Sequence, residues 1–143
     1  MPQEREEPRS WTRADWRHAL VLVAAMLLTW LPRLRGPIDL RFDAGVYYTL
    51  GTALAEGRGY RLLNEPGEIE AIQYPPLLPA LVAAHQLVLG SADPLVVGPV
   101  LRGTYLVFAL GYVLTSYALA RRFLRGGLAL AAALSSSLYF HAV

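Results

Sequence analysis

Residues 41–76 read RFDAGVYYTLGTALAEGRGYRLLNEPGEIEAIQYPP. The stretch is polar, begins with an acid at Asp43, and lies between two strongly apolar segments. Before it, Ala19–Leu31 carries no charge; after it, Tyr74-Pro75-Pro76 leads directly into Leu77–Leu89. Further apolar runs follow at Leu95–Leu119 and Leu128–Val143. Apolar residues gathered into blocks of this kind are the pattern of an integral membrane protein, whose spans take roughly 20 residues to cross a hydrocarbon core about 30 Å thick. The expected fold class is all-α, an integral membrane helix bundle of three to four transmembrane helices, with spans near 18–34, 75–90, 101–120 and 127–143. The loop 35–74 is then the first extracytoplasmic loop.

Composition agrees with that class. A chain of 143 residues is enough for one domain, and 55% hydrophobic content is high for a soluble globule of this size. Mean hydropathy is +0.35. All thirteen basic residues are Arg, which fits a GC-rich bacterial genome, and the expected location is the bacterial plasma (inner) membrane, multi-pass. No polar face interleaves aromatic and basic residues, so nucleic acid is not an expected partner. The absence of Cys excludes thiol catalysis, disulfides and cysteine metal sites.

Residues 1–17 are polar and mixed in charge and read as a cytoplasmic tail, with Trp11 and Trp16 suited to the lipid headgroup layer. The first span is short in its apolar core and is extended by Trp16 and Leu34, with Arg17 and Arg33 snorkelling. No small-x-small cleavage site follows it, so an uncleaved anchor is expected rather than a signal peptide. Within the loop, Val46, Leu50, Ala53 and Leu54 recur at helical spacing, with Tyr47 at the edge of that face and Gly57 and Gly59 as a stop signal. This predicts a short amphipathic juxtamembrane helix lying along the membrane surface, with Asp43 as its N-cap. Asn64-Glu65-Pro66-Gly67 is a turn signal. Glu68 and Glu70 beyond it read as a solvated surface without metal-ligand spacing.

The double proline sets where the second apolar helix begins. His85 and His141 are expected to bond neighbouring helices rather than a metal, and Arg102 to snorkel or meet a phosphate headgroup. Topology is strained. Arg121, Arg122 and Arg125 ask to be cytoplasmic, and so do Arg5, Arg9, Arg13 and Arg17, but three crossings separate the two groups. Either the second segment does not cross, or one group breaks the rule.

An apolar anchor, then Arg-Phe-Asp43-x-x-x-Tyr47-Tyr48, then LGTALAEGRGY, then QYPPLLPALVA resembles the N-terminal part of the GT-C membrane glycosyltransferases. The nearest branch is that of dolichyl- or polyprenyl-phosphate-mannose transferases and aminoarabinose transferases, glycosyltransferase family 39 and its relatives. Later, LRGTYLVFALGYVLTSYALARRFLRGGLALAAAL is similar to their next two spans, and the resemblance covers about residues 18–143. It implies transfer of a sugar from a polyprenyl-phosphate donor to an extracytoplasmic acceptor (glycan, lipid or protein). Asp43 matches the catalytic acid of the first extracytoplasmic loop, and Arg41, Tyr47 and Tyr74 are the associated substrate-binding candidates. The membrane lipid and the lipid-linked sugar are the implied partners; no metal ligand is assigned, and the resemblance leaves a divalent metal requirement open.

Two positions depart from the family. Many relatives have Asp-Glu where this chain has Asp43-Ala44, and aminoarabinose transferases have Glu-Lys where it has Gln73-Tyr74. The second departure removes the lysine that would meet a lipid phosphate and argues against aminoarabinose transfer. Since the family's chains are several times longer, this chain is expected to be an N-terminal fragment, inactive by itself. The alternative from another class is a stand-alone small multi-pass membrane protein, an assembly partner or transporter subunit without catalysis. Transport usually needs an ionisable residue in mid-membrane, and the first span has none.

Overall fold

The computed structural model describes residues 10–142, with side chains described through residue 137. The readings of Arg5, Arg9 and the His141 side chain fall outside this range. Among the described residues the chain is helical and has no strand. Its elements are α1 (Arg13–Trp30), a 3-10 turn (Leu31–Leu34), α2 (Asp43–Ala55), α3 (Leu77–Leu89), α4 (Pro94–Ala120) and α5 (Gly126–Ala142). They divide into two compact units. One holds α1 and the chain from Tyr105 onward; the other is Arg33–Thr104.

In the first unit, α1 starts earlier than its apolar run. Thr12 and Asp15 form a capping box: the Thr12 hydroxyl accepts from the Asp15 N–H at 3.3 Å, and the Asp15 carboxylate accepts from the Thr12 N–H at 2.8 Å. Residues 13–17, expected in the tail, are therefore helical. The core is built from pairs four residues apart: Leu22 and Met26 on α1, Val113 and Tyr117 on α4, Ala129 and Ala133 on α5. The two alanines let α5 approach its neighbours closely.

Polar contacts fix the direction of these helices. Asp15 near the start of α1 accepts a hydrogen bond from the Tyr117 hydroxyl at 2.9 Å and an ion pair from Arg121 at 2.8 Å, past the end of α4. A Cβ on Gly126, at the start of α5, would meet His18 of α1 at 3.2 Å. The start of α1, the end of α4 and the start of α5 thus share one end of this unit. Toward the other end, Trp30 and Tyr105 line one apolar cavity of about 340 Å³ with Met26 and Phe108. Arg13 and Arg17 therefore lie at the same end of this unit as Arg121, Arg122 and Arg125.

The second unit contains the segment expected as the second span, and its length does not show a crossing. Pro76 precedes α3 as foreseen, and Gly90 closes it in a left-handed conformation at φ 62°. Between them stand 13 residues, which rise only about 20 Å at 1.5 Å each. Among the described residues, two helices are long and apolar enough to cross a membrane: Arg13–Leu34, counting the 3-10 turn, and Pro94–Ala120. The described part of α5, Gly126–Ser137, is also shorter than that. Three to four crossings are therefore more than the described helices supply by length.

α2 packs against α3 through Gly51, where an added Cβ would fall 2.6 Å from Val82 and 2.9 Å from the Pro79 carbonyl. Gln86 donates to the Thr52 hydroxyl at 2.9 Å, and the buried Tyr48 hydroxyl donates to the Ala92 carbonyl at 3.0 Å. On another flank of α2, Leu50 meets Leu62 and Ala71 of the following loop. A helix covered on two sides is not the one-faced surface helix expected from its spacing.

Candidate functional site

The segment leading into α2 is built tightly. The Asp39 carboxylate accepts from the Arg41 backbone N–H at 3.0 Å and from its guanidinium at 2.5–3.0 Å. The chain then turns through Phe42, whose φ of 55° and ψ of −136° are rare for a side chain of its size. Two contacts accompany this conformation: the Gly45 N–H donates to the Phe42 carbonyl at 3.2 Å, and the Leu40 carbonyl sits where a Cβ on Gly45 would be, at 2.4 Å.

The consequence is a shift of one residue in the helix start. Phe42 is the N-cap and Asp43 the first helical residue, so Asp43 does not cap α2 as its position in the sequence predicts. No side chain caps this helix. The Asp43 carboxylate is exposed, and among the described residues it forms no hydrogen bond or ion pair. It stands in the first turn, where the helix dipole favours negative charge.

One turn further along, Tyr47 shares the Asp43 face. Its ring meets that of Tyr74 edge-on, with centroids 5.8 Å apart. Neither hydroxyl has a partner among the described residues. Tyr74 is held from behind by the Leu50–Leu62–Ala71 cluster. Its carbonyl accepts from the Tyr60 hydroxyl at 3.0 Å, and the Pro75 carbonyl accepts from the same hydroxyl at 3.2 Å. Burial, then the neighbouring Tyr47, raises the Tyr60 pKa above its ordinary value.

Of the four site residues expected from sequence, the fold thus brings Tyr47 against Tyr74, with Asp43 one turn away on the same helix. Arg41 is not joined to them: its guanidinium is turned back on Asp39, whose carboxyl the same hydrogen bonds hold down to about 2. Tyr60, which orients Tyr74, was not singled out by sequence reasoning; a tyrosine directly after a glycine stop signal was the available clue.

Three other expectations are resolved by geometry. His85 lies 2.8 Å from the Leu81 carbonyl and 2.8 Å from the Thr104 hydroxyl on α4, a bond to a neighbouring helix as foreseen. Arg102 does not snorkel; its guanidinium donates to the carbonyls of Arg35, Gly36 and Pro37 at 2.5–2.8 Å and fastens the segment before α2 to α4. Glu68 and Glu70 are not simply solvated, since Arg58 pairs with Glu68 and Arg61 with Glu70. Among the described residues no group of three or more His, Asp or Glu is placed to hold a metal ion.

Comparison with known proteins adds nothing to this geometry: no family model, curated protein or solved structure matches the chain.

Proposed function

We propose that this chain is the N-terminal part of a GT-C membrane glycosyltransferase, moving a sugar from a polyprenyl-phosphate donor to an acceptor outside a bacterial inner membrane. The observation that carries the reading is the unpartnered Asp43 carboxylate, exposed at the first position of α2 behind the strained Phe42. Strain of this kind costs about 1–3 kcal/mol and persists where surrounding structure over-determines it. In this reading Asp43 takes the proton of the acceptor hydroxyl as its oxygen attacks the anomeric carbon. The bond from that carbon to the lipid-phosphate oxygen breaks, and the phosphate departs as an anion. Tyr47 and Tyr74 offer free hydroxyls to the sugar or the phosphate; Arg41, committed to Asp39, is left out of the assignment.

The membrane part of the proposal follows from the shared Arg end. With α1 and α4 as the crossings, Arg13, Arg17, Arg122 and Arg125 face the cytoplasm together, as the positive-inside rule asks. The chain between the two crossings then belongs to the opposite side.

The test is a transfer assay in membranes carrying the reading frame that contains this chain, with a radiolabelled polyprenyl-phosphate sugar. Asp43→Asn is expected to lower transfer by about 10²–10⁴-fold at normal expression, the range of a lost general base. Transfer equal to wild type by Asp43→Asn overturns the mechanism.

A further inference from the structure

A groove of about 420 Å³ with mixed polar and apolar walls lies within the loop that follows α2. That volume is within the range of sites for small molecules. The loop is clasped by two backbone hydrogen bonds, Leu62 N–H to Ile69 carbonyl at 3.0 Å and Ala71 N–H to Tyr60 carbonyl at 3.1 Å. The clasp sets Arg61 opposite Glu70. Arg61 reaches Glu70 at 3.3 Å, and Arg58 is shared between Glu56, at 3.4 Å, and Glu68. Gly57 and Gly59, at φ 70° and 81°, have open space where a Cβ would stand, so the groove's backbone is uncovered there.

The charge pattern selects the ligand. Arg58, Arg61 and Glu70 line the groove; Glu70 pairs with Arg61, Glu56 and Glu68 pair with Arg58 from outside the lining, and both guanidiniums are therefore already paired. A phosphate or carboxylate ligand would have to displace a carboxylate from each arginine it used. A sugar hydroxyl has the opposite need, because it donates and accepts at once. A guanidinium beside a carboxylate offers both functions at the spacing of neighbouring hydroxyls. The C–H face of a sugar ring also requires an apolar plate. Ile72 supplies one at 87% exposure, and the Tyr60 ring, fixed through its hydroxyl to the carbonyls of Tyr74 and Pro75, supplies another.

We propose that the groove of Arg58, Tyr60, Arg61, Glu70 and Ile72 binds a neutral saccharide, its hydroxyls on the arginine–carboxylate edge and its C–H face on Tyr60 and Ile72. The proposal rests on the sugar-transfer reading for its biological sense, as the place where the glycan part of a substrate is held, and on its own geometry for the site.

The experiment is saturation-transfer NMR on the full chain in micelles of a detergent without a sugar headgroup. The probes are free glucose, mannose, galactose and N-acetylglucosamine, with inorganic phosphate as competitor. Saturation is expected to pass to the ring C–H protons of at least one sugar and to be unaffected by phosphate. Glu70→Gln, at an exposed position, is expected to weaken that sugar about tenfold, the scale of one hydrogen bond to a charged group, and Ile72→Ser to weaken it too, with unchanged circular dichroism. No transfer to any of the four sugars, an unchanged signal in Glu70→Gln, or displacement by phosphate overturns the site. Asp43→Asn is expected to bind the sugar normally. If that variant also transfers sugar like wild type, the transfer reading fails while the groove stands; loss of binding with an Asp43-dependent transferase gives the reverse.

Discussion

At the scale of single residues, two glycines carry more of the proposed site than their size suggests. Gly45 leaves room for the Leu40 carbonyl, and the turn through Phe42 depends on that approach. Gly45→Ala is expected to displace the start of α2 and reduce transfer while leaving the first unit folded, seen as lost activity with an unchanged Asp15–Arg121 contact by NMR. Gly51→Ala acts elsewhere: with Val82 and the Pro79 carbonyl inside 3 Å, it should destabilise the α2–α3 pair by about 1–3 kcal/mol, read from urea unfolding. Asp39 gives a prediction in pH. Its carboxyl is held down to about 2 by the Arg41 side chain and backbone N–H, so whatever it contributes to folding is complete above an ordinary carboxyl pKa near 4 and disappears as pH falls through about 2. The pair is exposed and open to screening. An NMR titration should therefore find a low midpoint for Asp39 that returns toward about 4 in Arg41→Ala.

Elements show where the sequence was readable and where it was not. The bounds of α2 and α3 were legible from Gly57, Pro76 and Gly90, since glycine and proline act on the backbone locally. The role of α3 was not: an apolar run of 13 residues, buried on one face only, resembles a short span until its length is compared with the bilayer. Asp43 was found as an acid but misplaced by one residue. Its register depends on Leu40 meeting Gly45, a packing contact with no periodic signature. The start of α1 was written in Thr12-x-x-Asp15, a capping pattern masked by the polarity of its surroundings. Asp15 has a second task that no local pattern reveals, pairing with Arg121 beyond the far end of α4, both side chains under 10% exposed. Breaking a buried pair leaves an uncompensated charge and costs about 3–5 kcal/mol. Arg121→Met and Asp15→Leu are each expected to lower the unfolding temperature strongly, and the double variant by less than the sum of the two.

For the whole molecule, the absence of Cys from these 143 residues allows the proposed sidedness to be measured on them directly, because any thiol introduced here is the only one in this stretch. In intact cells, Asn64→Cys is expected to react with a membrane-impermeant maleimide, while Arg122→Cys reacts only after the membrane is opened. Labelling of both positions in intact cells would refute the shared cytoplasmic end. The Asp15–Arg121 pair also has a consequence in time. Its partners are 106 residues apart, and at a synthesis rate of about 5–20 residues per second Asp15 waits roughly 5–20 s for Arg121. The unit Arg33–Thr104 is synthesised in full during that interval. The segment in the middle of the chain can therefore assemble while the first helix is still without its ionic partner. A nascent chain stalled with residue 104 outside the ribosomal exit tunnel and residue 121 still inside it should hold a protease-resistant middle beside an unsecured beginning.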